Sequence, residues 1–240
     1  MTHLRHIILL CGILGLLIMA CQSPSPPSPS LPPLLPPPLS VVKDGMTTGN
    51  LHFVRAEYAE AIDSYSRVIN AIRDSENPNL ANAYYNRGRS YFLAQDHQRA
   101  IEDFSAVLAI NPSDAETFVR RAEAWEKQHH LDNAISDYHA ALLIDPDDSS
   151  SYYLLGVLYS KKHDYAKAAE ILGKAIVRKP SFADAYNGRG QALLKLGFLD
   201  LAMADFRKAC DLGQECGCIM LELLSETDVH RNHMPETARR

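Results

Sequence analysis

The sequence predicts an all-α fold in which five helix pairs stack side by side and a further helix closes the C-terminal end. Three observations predict it: apolar residues recur every three or four positions, that pattern repeats every thirty-four residues, and a proline closes three of the periods. The chain has 240 residues, 46% hydrophobic and 22% charged, which is the composition of a globular protein rather than a disordered one. A mean hydropathy of -0.19 leaves no room for several membrane spans. A net charge of -5 argues against a surface built for phosphate backbones, so no nucleic-acid partner is expected.

The N-terminal residues read as an address. Arg5 lies in a short lead, and an uncharged stretch runs from Ile7 to Ala20. At about 1.5 Å per residue it is too short to cross ~30 Å of hydrocarbon comfortably. Residues 1–20 are therefore expected to be a signal peptide. Ile18-Met19-Ala20-Cys21 resembles a bacterial lipobox, which implies that Cys21 receives a diacylglyceryl group and becomes the mature N-terminus. Ordinary signal cleavage and a retained anchor are the alternatives. Gln22 is not the aspartate that in enteric bacteria tends to retain lipoproteins in the inner membrane, so this resemblance favours the outer membrane, facing the periplasm.

Residues 21–41 form the tether. Nine of the fourteen prolines fall between positions 24 and 38, and the segment from Gln22 to Ser40 carries no charge. Proline's fixed φ and missing donor favour a polyproline II spacer of ~3.1 Å per residue. Pro29 to Pro32 and Pro33 to Pro36 also spell PxxP, a ligand motif whose reader domains are not expected in a bacterial periplasm.

From residue 42 one unit is written five times, over 42–80, 81–114, 115–148, 149–182 and 183–213. Tyr84, Gly88, Tyr91, Ala100, Phe104 and Pro112 return as Phe118, Ala122, Trp125, Ala134, Tyr138 and Pro146. They return again as Tyr152, Gly156, Tyr159, Ala168, Leu172 and Pro180, and then as Tyr186, Gly190, Leu193, Ala202 and Phe206. Gly49, Phe53, Tyr58, Ala61 and Tyr65 belong to an earlier copy, with about five extra residues before the next. Each proline ends a second helix, because the residue before it is pushed out of the α region. A glycine inside a helix costs up to ~1 kcal/mol, so Gly49, Gly88, Gly156 and Gly190 make sense where two helices touch. One pair cannot cover its own apolar face; stacking makes the core.

This pattern resembles the tetratricopeptide repeat (TPR), and the resemblance implies a right-handed TPR solenoid with a concave groove lined by the first helices. Residues 214–225, with Ile219, Met220, Leu223 and Leu224 at helical spacing, are expected to form a capping helix. Residues 226–240 are expected to be a flexible tail.

The chain holds no GxSxG, HExxH, CxxC or P-loop, so no enzyme, cofactor, metal or small-molecule substrate is expected. Gly188-Arg189-Gly190 sits inside a first helix rather than in a nucleotide loop. Asp145-Pro146-Asp147-Asp148 opens like a calcium loop, but Gly156 stands where a bidentate glutamate is needed. His97, His129, His130 and His163 fall at or near successive turns and read as solvated, with a pH-sensitive edge as the alternative. Of the three cysteines in the folded part, Cys210 and Cys218 are a possible disulfide tying the last repeat to the cap; three small buried residues are the other reading.

The TPR resemblance also implies where a partner sits. Its groove places map to Asn50, Phe53, Asn82, Tyr85, Asn86, Arg89, Glu116, Val119, Arg120, Glu123, Tyr153, Val157, Asn187 and Gln191. Asparagines suit a peptide backbone, Tyr85 and Tyr153 suit apolar side chains, and Arg89 or Arg120 suits a carboxylate. Asn50, Asn86 and Arg120 match part of the carboxylate clamp of chaperone-binding relatives, but Met46 and Glu116 stand where that clamp needs lysines. The function expected is a non-enzymatic scaffold or adaptor on the bacterial envelope, holding a peptide or partner helix. In architecture it is similar to NlpI-type and type IV pilotin-type lipoproteins. A soluble secreted or cytosolic repeat adaptor is the alternative.

Overall fold

A computed structural model describes residues 43–72 and 77–232 of the chain. The signal segment 1–20, Cys21 with the tether to residue 41, and residues 233–240 lie outside the described residues. Among those described there are eleven α-helices and no strand. They are α1 (Lys43–Val54), α2 (Tyr58–Ala71), α3 (Pro78–Leu93), α4 (His97–Ile110), α5 (Ala115–Lys127), α6 (Leu131–Ile144), α7 (Ser149–Lys161), α8 (Tyr165–Arg178), α9 (Ala183–Lys195), α10 (Leu199–Asp211) and α11 (Glu215–Asn232).

Helices α5, α7 and α9 open on the first residue of their repeats, and α3 opens three residues early because Pro78 supplies a ready first turn behind the Asn77 cap. Asp114 and Asp148 cap α5 and α7, Asp114 accepting the Thr117 N–H and Asp148 those of Ser150 and Ser151. The second helices stop as the prolines require: Asn111, Asp145 and Lys179 leave the helix at φ/ψ of -127/89°, -119/88° and -131/88°. Within each pair the chain turns through one left-handed residue, at Ala56, Gln95, His129, His163 and Gly197 with φ of 60 to 85°. Only the last is glycine, the residue that adopts this conformation without strain.

Each helix packs on its partner and each pair on the next, so the core runs the length of the stack. Its rungs are Tyr65, Phe104, Tyr138, Leu172 and Phe206, every one buried. Facing each rung is a small residue of the first helix. A Cβ on Gly156 would come within 2.6 Å of Leu172 Cγ, and one on Gly190 within 2.8 Å of Phe206 Cε1. Ala61, Ala100, Ala134, Ala168 and Ala202 are wholly buried on the second helices.

A polar ladder accompanies this core. Arg87, Arg121 and Arg189 each fork onto an aspartate of the paired helix, Asp103, Asp137 and Asp205, with N···O distances of 2.7 to 2.8 Å. Arg87 also reaches Ser66 and Arg121 reaches Ser105 on the preceding repeat, both at 3.0 Å. The fourth pair replaces the ion pair with Leu155 and Ile171, both buried.

Helix α11 closes the stack by burying Met220 and Leu224 against Ala202 and Phe206. It runs on to Asn232, past residue 225, where the sequence reading ended it: no glycine or proline interrupts Ser225 to Asn232, and the next proline is Pro235. Cys210 and Cys218 are joined by a disulfide that fastens α11 to α10. Among the described residues no helix is long and apolar enough to cross a membrane.

Candidate binding groove

The first helices adjoin one another along one side of the stack, α1 with α3, α3 with α5, and α7 with α9. The expected groove residues fall on these five helices and divide into two halves of different chemistry.

The N-terminal half centres on α3 and α5. The Arg89 guanidinium lies over the Phe53 ring at 4.6 Å and the Tyr85 ring at 5.6 Å, and the residue is 5% exposed. Tyr85 donates its hydroxyl proton to Glu116 Oε1 at 2.6 Å. Arg120, 8% exposed, pairs with Glu116 at 3.3 Å and with Glu123 at 3.2 Å. The expectation that Arg120 is free to receive a carboxylate is thus changed, since two glutamates of its own helix already hold it. Among the described residues no acid lies within ion-pair distance of Arg89, and neither its buried Nη2 nor Arg120 Nε has a hydrogen-bond partner.

Burial governs the electrostatics of this half. It pushes the Tyr85 hydroxyl well above its ordinary pKa, helped by the Glu116 carboxylate. It also lowers Arg89 and raises Glu123. Burial alone would lower Arg120 too, but Glu123 and Tyr85 more than reverse this, so its charge is held firmly. Asn50 is engaged internally, accepting the Tyr65 hydroxyl at 2.7 Å. Asn82 is exposed, and Asn86 and Val119 are half-buried.

The C-terminal half, on α7 and α9, centres on a pair of rings, with Asp184 near enough to act on Tyr153. Tyr153 is buried with its ring 5.1 Å from Phe182, and burial pushes its hydroxyl up to about 12. Val157 and Gln191 are half-buried. Asn187 is 4% exposed and its Oδ1 has no partner among the described residues. Phe182, with Lys179 Nζ 4.9 Å above its ring, belongs to this half although the repeat pattern did not point to it. The signal was available: Phe182 takes the place before a first helix where Asp114 and Asp148 cap the earlier repeats.

The other expected sites resolve into local structure. Asp145 Oδ1 accepts the Asp147 N–H and Asp148 caps α7, so this acidic run is a turn and a cap. His129, His130 and His163 are exposed, while His97 packs on Phe92 at 5.1 Å. Among the described residues no cluster of histidine, cysteine and acids is arranged to hold a metal.

A family model described as "Tetratricopeptide repeat" matches residues 81–114, and a second of the same description matches residues 153–215. The fold is a TPR solenoid. Solved structures agree: the crystal structure of MamA protein superposes with a TM-score of 0.66 at 25% identity, covering 72% of this chain and 92% of that one. MamA from Desulfovibrio magneticus RS-1 superposes with a TM-score of 0.65 at 21% identity over 72% and 96%. YrrB, described as a TPR protein with an unusual peptide-binding site, gives 0.62 at 19% over 76% and 90%. The last two likenesses are ones of fold. No curated protein matches the sequence.

Proposed function

We propose that this chain is a non-enzymatic interaction scaffold whose groove holds an extended peptide or a partner helix, and that Cys21 tethers it to the bacterial envelope. The reading rests chiefly on the row formed by Phe53, Tyr85, Arg89, Glu116 and Arg120. It sets aromatic faces beside a buried cation that has no acid partner among the described residues, on three consecutive first helices. Rings and arginines of this kind dominate binding energy at protein interfaces. TPR solenoids bind proteins through their surfaces, and YrrB is one described as having an unusual peptide-binding site.

The lipobox-like Ile18-Met19-Ala20-Cys21 supports the anchor, because each buried methylene adds ~0.8 kcal/mol and several acyl chains on one residue hold a protein at a membrane. Gln22 favours the outer membrane, facing the periplasm, where the scaffold assists assembly of an envelope complex. Two measurements test the proposal. Cys21→Ser abolishes fatty-acid labelling and releases the chain from membranes; a mutant that stays labelled refutes the anchor. Tyr85→Ala with Arg120→Glu loses the partner recovered by crosslinking in intact envelopes while the helical circular dichroism is unchanged; undiminished recovery refutes the groove.

A further inference from the structure

Helix α10 turns an apolar face outward where the other second helices turn a polar one. Phe198, Leu201 and Ala204 stand at the places that carry Asp164, Lys167 and Glu170 one repeat earlier, and Asp96, Arg99 and Glu102 in the second repeat. The first and third repeats are polar at these places too. Phe198 and Leu201 are 55% and 57% exposed, Ala204 is exposed, and Leu196 on the turn just before is exposed as well. The change also removes a cap, since Asp96 and Asp164 accept a first-turn N–H and Phe198 cannot.

The same face of α8 is closed by its own charges. Glu170 is held between Lys167 at 2.8 Å and Lys174 at 2.9 Å. At the equivalent places α10 has Leu201, Ala204 and Lys208, so Lys208 keeps the position of Lys174 without the acid that holds it. The ion pair that α10 does make among the described residues, Asp205 with Arg189, lies on its inner side. Asp200, Arg207 and Lys208 are exposed and enter no ion pair among the described residues.

Leu201, Ala204 and Lys208 follow one another at four- and three-residue spacing and so form one stripe along the helix. An acid lies at one end of that stripe and two bases at the other, with apolar residues between. Such a face is complementary to itself when a second copy lies across it antiparallel, because a two-fold contact repeats each pairing twice. Ala204 is the small residue that lets two helices approach at the crossing. Asp200 and Lys208 each stand four residues from it, about 6 Å along the axis on either side. Antiparallel crossing at Ala204 therefore sets each Asp200 level with Lys208 of the second copy, whereas a parallel crossing sets like charges together. We propose that the outer face of α10 is a two-fold interface through which two copies of this chain associate. One helix crossing covers well under the ~800 Å² per copy of a standard interface, so the association is weak and reversible.

Sedimentation equilibrium on the full chain carrying Cys21→Ser, so that no lipid holds copies together, tests this. The average mass climbs toward twice the monomer's with concentration, and Leu201→Glu keeps it at the monomer's throughout. Asp200→Lys and Lys208→Glu each weaken association at least about tenfold, since each sets like charges across the axis twice. Mixed one to one, the two variants associate again to within about threefold of the parent, because both crossed contacts are then opposite in sign. Circular dichroism confirms that every variant keeps its helices, and should Leu201→Glu unfold, the two charge variants and their mixture decide alone. A mixture no tighter than its components, or a dimer that folded Leu201→Glu leaves intact, overturns the interface. A parent that stays monomeric overturns it as well; if that monomer floats with phosphatidylethanolamine and phosphatidylglycerol vesicles and Leu201→Glu does not, the face belongs to lipid instead.

Discussion

The ladder of arginine and aspartate offers a perturbation whose control is built into the chain. Asp137 is 7% exposed at its side chain and receives both hydrogen bonds of the Arg121 fork at 2.8 Å, while Arg121, 21% exposed, reaches on to Ser105 at 3.0 Å. Asp137→Ala leaves that guanidinium largely desolvated, with the Ser105 hydroxyl and the Phe118 ring 5.5 Å away in place of its counter-charge. Breaking a fully buried pair costs about 3–5 kcal/mol, and the partial exposure of Arg121 lowers the expectation to about 2–3 kcal/mol. The fourth repeat shows the alternative, since Leu155 and Ile171 fill the same two places without charge. The double variant Arg121→Leu/Asp137→Ile therefore costs less than about 1 kcal/mol, at least about 1 kcal/mol less than the single variant. Urea unfolding followed by circular dichroism at 222 nm measures both variants. A single variant within about 0.5 kcal/mol of the parent, or a double variant as unstable as the single, refutes the reasoning.

Three further outcomes follow from local geometry. His129→Gly and His163→Gly each stabilise the fold by about 0.5–1 kcal/mol, because both histidines hold φ of 62° where Gly197 sits in the fifth repeat; thermal unfolding checks this. Gly156→Ala forces a Cβ to 2.6 Å from Leu172 Cγ and costs about 1–3 kcal/mol, again read from urea unfolding. Burial, with Lys127 adding to it, lowers the His97 pKa below its ordinary 6.5, so the unfolded chain binds the proton more readily. Its contribution is complete above about pH 6.5 and is lost as pH falls below that. His97→Gln should flatten this part of the stability curve, and an unchanged curve would refute the assignment.

Much of the fold is legible because a thirty-four-residue period is a local signal repeated. Pro112, Pro146 and Pro180 end α4, α6 and α8, and the glycines and alanines of the helix crossings meet the rungs facing them. The arginine ladder was not legible. Its partners stand sixteen residues apart on different helices, a spacing that belongs to neither helical nor strand periodicity, and the first and fourth repeats lack it. The left-handed turn at His129 and His163 is equally hidden, because histidine announces a solvated turn but not its φ. Groove positions could be carried over from the repeat pattern, yet their engagement could not. Nothing in the sequence says that Glu116 and Glu123 already hold Arg120, or that Phe182 stacks on Tyr153. The apolar character of 215–224 announced the cap, while its length followed from the absence of a breaker before Pro235.

The central claim is that the concave side holds another polypeptide. A photo-crosslinking residue placed at Tyr85, and in a second strain at the outward-facing Leu143 (86% exposed), tests it most directly in intact cells. A discrete crosslinked product from position 85, and none from 143, is what the account predicts. A product from position 143 with none from 85 would place the working surface on the other side and contradict it.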